Sequence, residues 1–239
     1  MQITSRCRQN RSAAYVKSCA IWLLAATITT SAAPRLASAV TVGQIDDFED
    51  GSLQSWEAGG ASNPTPPTNI ATGGPAGAGD QYLRLTSSGF PGAGGRLVVF
   101  NGDQWTGDYL AESTDSIQMQ VRNFGATNLV LRLILESSGG SLGTISPVNV
   151  PAGSGWTSVS FSLDSANLTG DDFAAVMQDV TTLNLVHSPS AITARTSAPF
   201  IAAQLGVDNI TVTAVPEPGS SGLLFIGIGL MLTRRRCHC

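Results

Sequence analysis

The chain has 239 residues, of which 42% are hydrophobic, 13% charged and 6% aromatic, with 26 Gly and 12 Pro. Such a length holds one or two domains, and so little charge beside so much Gly argues against helical bundles, whose outer faces need Lys, Glu and Arg. The formal net charge of −4 hides a middle region, residues 40–215, with five Arg, no Lys and 16 Asp and Glu, a balance near −11. A region this acidic is on balance repelled by phosphate backbones, which argues against nucleic acid as a partner.

Residues 1–39 have the layout of a secretory signal peptide. Arg6, Arg8, Arg11 and Lys17 precede an apolar run from Cys19 to Ala33, and Ala37-Ser38-Ala39 offers the small residues that signal peptidase accepts, placing the mature start near Val40. Ser31-Ala32-Ala33 is a second cleavage candidate. The run of about 15 residues is short for an uncleaved anchor, which needs ~20. All four Cys (Cys7, Cys19, Cys237, Cys239) lie outside residues 40–214, so the expected ectodomain has no disulfide. A core of this size buries enough apolar surface without one.

From residue 40 onward, short alternating runs separated by turn-rich stretches predict an all-β fold, a single jelly-roll β-sandwich over 40–214 with about nine strands. The expected strands begin with Gln44–Glu49. The stretch Gly59–Gly79 is too rich in Gly, Pro and Thr for a regular element, and its length marks it as a functional loop. Gln81–Thr86 and Arg96–Phe100 follow. The polar loop Asn101–Tyr109 then carries Trp105 and Tyr109, where exposed rings would stack on sugar faces, the alternative being that Trp105 plugs the bottom of the sandwich; Trp56 and Trp156 are expected in the core.

Ile117–Arg122 alternates without fault, and Leu129, Leu131, Leu133 and Leu135 share one face of the next strand. Gly125–Asn128 between them reads as a hairpin turn. Gly139-Gly140-Ser141-Leu142-Gly143 matches the Gly-x-Ser-x-Gly elbow of hydrolases, with Asp164 and His187 following, but no helix comes after it, so a Gly-rich hairpin is expected instead. Val159, Phe161 and Leu163 alternate with serines. Asp171–Val180 is the one expected helix, capped by Thr169 or Asp171, which also accounts for the Asp171-Asp172 pair. Thr182–His187 and Ala202–Thr213 are the last strands, the latter changing phase between Val207 and Ile210 as a bulge near Asp208 would require. His187 is expected at a core or edge position of its strand end.

The C-terminus carries Val215-Pro216-Glu217-Pro218, then an apolar segment within 219–233, then Arg234, Arg235 and Arg236 in the basic end 234–239. The apolar stretch is a marginal, short transmembrane helix whose arginines would hold its end on the cytoplasmic side. This tail resembles the PEP-CTERM sorting signal of exported bacterial proteins: Pro216, Glu217 and Pro218 match the triplet, and Arg234–Arg236 the cluster. The resemblance implies processing by exosortase, a membrane-embedded cysteine transpeptidase-like enzyme of Gram-negative bacteria that make extracellular polysaccharide. It also implies transient inner-membrane anchoring and a final place at the cell surface or in the matrix. The closing Cys237-His238-Cys239 departs from the usual ending.

The central region resembles the galactose-binding-like jelly roll used by many carbohydrate-binding modules. The residues that carry the likeness are Asp47-Phe48-Glu49-Asp50-Gly51 with Trp56, Gly155-Trp156 and Val207-Asp208-Asn209-Ile210. The resemblance implies one structural calcium ion, with Glu49, Asp208 and Asp47 as ligands and Asp50 as a further helper. With no clustered histidines, no lysine and no convincing nucleophile, the ectodomain is expected not to be an enzyme. The expected role is structural or adhesive, with extracellular polysaccharide as partner. The alternatives are a surface glycan hydrolase and a matrix scaffold without a small ligand.

Overall fold

The computed structural model describes residues 39–60 and 62–214. The expected signal segment up to Ser38 and the tail, with Pro216–Pro218 and Arg234–Arg236, lie outside the described residues. Twelve strands and one short helix follow in chain order: β1 (Ile45–Asp46), β2 (Thr68–Ile70), β3 (Tyr82–Ser88), β4 (Val98–Asn101), β5 (Thr114–Asn123), β6 (Leu129–Ser137), β7 (Gly140–Thr144), β8 (Val148–Val150), β9 (Thr157–Ser162), β10 (Leu168–Gly170), α1 (Phe173–Met177), β11 (Val180–His187) and β12 (Ala202–Ala214). They form two six-stranded antiparallel sheets. The first runs β2-β3-β12-β5-β9, with β1 on the far half of β12; the second runs β10-β7-β6-β11-β4, with β8 beside the start of β6. The expected all-β sandwich is the observed fold.

Period-two alternation places the core between the sheets. Ile117, Met119 and Val121 of β5 and Leu205, Val207, Ile210 and Val212 of β12 meet Leu129, Leu131, Leu133 and Leu135 of β6 and Leu183 and Leu185 of β11. On β12 both halves face inward because the register slips between Asp208 and Thr211. Asn209 absorbs the extra residue at φ +50°, a conformation Asn tolerates better than most side chains. The bulge read from the phase change is therefore present.

Three expectations need correction. Gly125–Asn128 does not join a hairpin: β5 lies in the first sheet and β6 in the second, and β6 pairs with β7 and β8. The corner is held instead by Asn123, whose Nδ2 donates to the Thr127 and Val150 carbonyls at 2.8 and 3.1 Å. The stretch 59–79 contains the edge strand β2. The helix spans only Phe173–Met177, capped by Asp172 accepting from the Ala175 amide, and Val180 already belongs to β11.

The outer face of the second sheet is not open. Arg132, Ile134, Asn184 and Val186 point away from the core yet are buried, because the segment after β11 folds back across them. Arg132 anchors that strap. Its guanidinium donates to the carbonyls of Ser188 (3.0 Å), Pro189 (3.2 Å), Thr144 (2.8 Å) and Ile145 (2.6 Å). Gly143 lets the strap approach, since a Cβ there would stand 2.0 Å from the Ile192 carbonyl oxygen.

Candidate functional site

At the end of β1, Phe48 adopts φ +58°. Both Asp46 and Phe48 are buried, while Glu49 is exposed. Glu49 is tied to the start of β3: its Oε1 accepts from the Gln81 amide (2.8 Å) and its carbonyl from Gln81 Nε2 (2.7 Å). Across from it, Asp208 is only 1% exposed. Its carboxylate accepts from the backbone and side-chain nitrogens of Asn209 at 2.7 and 3.0 Å. Burial, followed by the charges of Asp80, Glu49 and Asp47, pushes the Asp208 carboxyl up to about 7. This corner therefore concentrates negative charge and offers oxygen donors alone, the chemistry of a hard cation. Among the described residues, however, no three acid, His or Cys side chains stand close enough together to form a metal shell. Asp80 was not singled out from the sequence, because only folding brings it beside β12.

The sign of the resulting pH dependence is definite. A carboxyl whose folded pKa lies above its unfolded value favours folding at low pH, and that contribution is lost as the pH rises through about 7. His187 acts oppositely, since burial lowers its pKa and its contribution is lost as the pH falls below about 6.5. Comparison with Asp208→Asn isolates the first effect. In chelator, the wild-type melting temperature should fall relative to that variant between about pH 5 and about pH 8. Parallel curves would contradict the assignment.

The two rings expected to be exposed are in the core. Trp105 and Tyr109 are each 0% exposed, so neither stacks on a sugar. The reason is Asp46, a buried carboxylate on β1. Its Oδ2 accepts from the indole nitrogens of Trp105 (2.6 Å) and Trp56 (2.7 Å), and its Oδ1 from Gln104 Nε2 (3.0 Å). Tyr109 closes the same knot by donating its hydroxyl to the Trp105 carbonyl at 3.0 Å. Trp56 is in the core as expected. Trp156 is not: it stands part-exposed on the outside of the first sheet.

The other sequence candidates are dispersed. Ser141 lies in β7 of a β6–β7 hairpin, and its amide donates to Asp171 Oδ2 at 2.9 Å. His187 ends β11, buried, with Nδ1 accepting from the Val130 amide at 3.0 Å. Asp164 is engaged with Ser162 and Asn167 in its own turn.

A cleft of about 420 Å³ opens where the edge strand β4 meets β3. Leu85, Leu97 and Pro67 give it apolar wall, and Gly92–Gly94 with Ala58–Gly60 form its rim. The rim loop is set by Asn63, which accepts from the Thr65 amide (2.9 Å) and donates to the Ala58 carbonyl (2.8 Å). Two guanidinium groups border the cleft. Arg96 gives Nε to the Ala198 carbonyl at 2.6 Å and lies 4.0 Å above the Phe200 ring. Arg195, on the strap, lies 4.5 Å above Phe100, with Nη1 3.2 Å from Asn184 Oδ1 and 3.7 Å from Glu136 Oε2. Among the described residues no Asp or Glu lines the cleft. An apolar wall with fixed donors on one side suits a molecule with alternating apolar and hydroxylated faces.

No protein-family model matches the chain, and no curated protein sequence matches it. Solved structures do share its fold. An exo-β-agarase superposes with a TM-score of 0.52 at 10% identity, over 75% of this chain and 26% of that one. The family 11 carbohydrate-binding module from Clostridium thermocellum, in complex with a β-1,3-1,4-mixed-linked tetrasaccharide, gives 0.49 at 11% identity over 73% and 96%. A CBM28 module specific for non-crystalline cellulose gives 0.48 at 12% identity over 74% and 98%. The chain thus spans about a quarter of the agarase. At these identities the likeness is one of fold.

Proposed function

We propose that the sandwich is a polysaccharide-binding module, structural or adhesive in role, whose contact site is the cleft between β3 and β4. The observation that carries this reading is the cleft itself: about 420 Å³ of partly apolar space bordered by Arg96 and Arg195 with Asn63 and Thr65 at the rim. The absence of any carboxylate from its lining supports binding over glycan hydrolysis, which needs a pair of acids flanking the bond. The fold shared with the exo-β-agarase is compatible with the reading. The test is retention of the purified chain on a panel of glycans and on the host's own extracellular polysaccharide. Thr196 and Ala93 are exposed at the rim, so Thr196→Trp and Ala93→Trp fill the cleft without touching the core. Each should reduce binding about tenfold, equivalent to ~1.4 kcal/mol.

Calcium belongs to the same reading as a structural ion. Asp208 and Glu49 would hold it, with Asp47 and Asp80 adding field, and its charge would offset the cost of the buried Asp208 carboxylate. Calcium should then raise the melting temperature and flatten the pH dependence above; identical melting in calcium and in chelator would remove the ion from the account.

Export is proposed on the residues at the two ends. Signal peptidase would remove the N-terminal segment, and the tail from Pro216 to Arg236 would hold the protein transiently at the inner membrane of a Gram-negative bacterium until exosortase releases it to the surface or matrix. Among the described residues no helix is long and apolar enough to cross a membrane, and the tail lies outside them. Alanines at Pro216, Glu217 and Pro218 should leave the unprocessed chain accumulating in membranes. Normal processing of that variant would overturn the assignment.

A further inference from the structure

The outer face of the first sheet carries a second arrangement that shares no residue with the cleft. Gly206 of β12 pairs with Arg84 of β3 on one side and Arg122 of β5 on the other. The two arginines therefore stand in one row across three adjacent strands, with Cα atoms roughly 10 Å apart at ordinary strand spacing. Over Gly206 converge three rings. Tyr82 stacks on Phe124 at 5.7 Å and 19°, and Trp156 meets both edge-on at 5.2 and 6.3 Å. Glycine lets them close over the strand: a Cβ at 206 would lie 2.8 Å from both Phe124 Cε2 and Trp156 Cη2, so the rings would have to shift. Trp156 is oriented by its indole nitrogen, which donates to the Gly73 carbonyl at 2.9 Å.

Neither guanidinium group is neutralised by an ion pair among the described residues, and one of them is held against a ring. Arg122 lies 4.5 Å above the Phe124 ring. The Nε atoms of Arg84 and Arg122 are the buried side-chain nitrogens without a hydrogen-bond partner among the described residues. Among the described residues no hydrogen bond or ion pair ties their terminal nitrogens to an acceptor either. The single ion pair among the described residues is Arg195 with Glu136, although acids far outnumber arginines in this region. Arg132, Arg96 and Arg195 all have acceptors; these two do not. Asp208 and its neighbouring acids lie toward the Tyr82 end of the patch, two residues along β12 from Gly206.

We infer that this face binds an acidic polysaccharide, with Arg84 and Arg122 pairing the carboxylate or sulfate groups and Trp156 with Phe124 packing on the sugar rings. Arg122, stacked on Phe124, has part of its ordering cost already met, and guanidinium forks suit planar oxyanions. Two cations set apart across the strands suit charges repeated along a chain better than a single small acid. The aromatic rings separate this ligand from a simple polyanion, for which charge alone would suffice.

The experiment measures binding of the purified full chain to polygalacturonate, to dextran sulfate and to neutral dextran, at two salt concentrations. Double-stranded DNA and anionic phospholipid vesicles serve as competing polyanions. Binding to at least one acidic glycan is expected, weakened by salt, lost about tenfold in Arg84→Gln with Arg122→Gln and similarly in Trp156→Ala, and unchanged in Thr196→Trp. Arg84→Lys with Arg122→Lys and Trp156→Phe serve as the milder variants where the first set melts early. Absence of binding to both acidic glycans would overturn the proposal. Binding unaffected by the arginine variants, or tighter binding to DNA or vesicles, would do the same. Loss in Thr196→Trp alone would assign the acidic glycan to the cleft, and so also overturn it while sparing the reading of the cleft.

Discussion

Asp46→Ala is expected to lower the stability of the sandwich by about 3–5 kcal/mol, among the largest effects available from one exchange here. The carboxylate is 2% exposed and receives both buried indole nitrogens and the Gln104 amide. Removing it leaves two buried indole donors without an acceptor, each costing roughly 1–3 kcal/mol. The ion itself is expensive to bury, and that cost raises its pKa despite three donors, yet the knot is arranged so that nothing else can satisfy Trp56 and Trp105. Their rings stand 6.1 Å apart with 49° between planes, so a void at Asp46 loosens both. Asp46→Asn keeps one acceptor oxygen and should lose only about 1–2 kcal/mol. Denaturant unfolding followed by tryptophan fluorescence reads both variants. An alanine variant within about 1 kcal/mol of wild type would show that the knot contributes little.

Arg132→Met should cost roughly 3 kcal/mol, and its signature is local. The methionine fills the stem's volume but leaves four carbonyls, from Thr144, Ile145, Ser188 and Pro189, without their donor. Two of the four belong to the strap, so the strap should lift before the sheets separate. Limited proteolysis within residues 188–198 should accelerate in Arg132→Met and remain slow in Asp46→Asn. Uniform protection in both would mean that the strap is held by packing on Ile134 and Val186 instead. Because Arg195 reaches the cleft from this strap, its release should also weaken glycan binding.

Alternation made the strands legible. Each run of Leu, Val or Ile at every second position in β5, β6, β9 and β12 is a strand with that face inward, and the lost phase at Asp208 is a bulge. Alternation assigns faces but not partners, which is why the corner at Gly125 looked like a hairpin and is a crossing between sheets. The aromatic residues were harder. Trp105 and Tyr109 sit among polar neighbours in sequence, and the residue that buries them, Asp46, is 59 positions from Trp105. Trp156 does carry a local signal for the outside: it shares parity with Ser158 and Ser160, the outward side of β9. Tyr82 and Arg84 likewise oppose the inward Leu83 and Leu85. The cleft assembles from the 58–67 loop, the 92–96 turn and the strap, three segments with no periodicity to link them. The Gly- and Pro-rich composition of 59–79 marked that loop for function but not its neighbours.

Occlusion of the cleft is the change to which glycan binding should respond most directly. Wild type and Thr196→Trp are compared by affinity electrophoresis through neutral glycans, with melting temperatures recorded alongside. Retardation of the wild type is expected, with a roughly tenfold weaker effect for Thr196→Trp and equal melting of the two proteins. Equal retardation of both, or none of a folded wild type on any glycan, would contradict the reading of the cleft and leave a matrix scaffold as the better description.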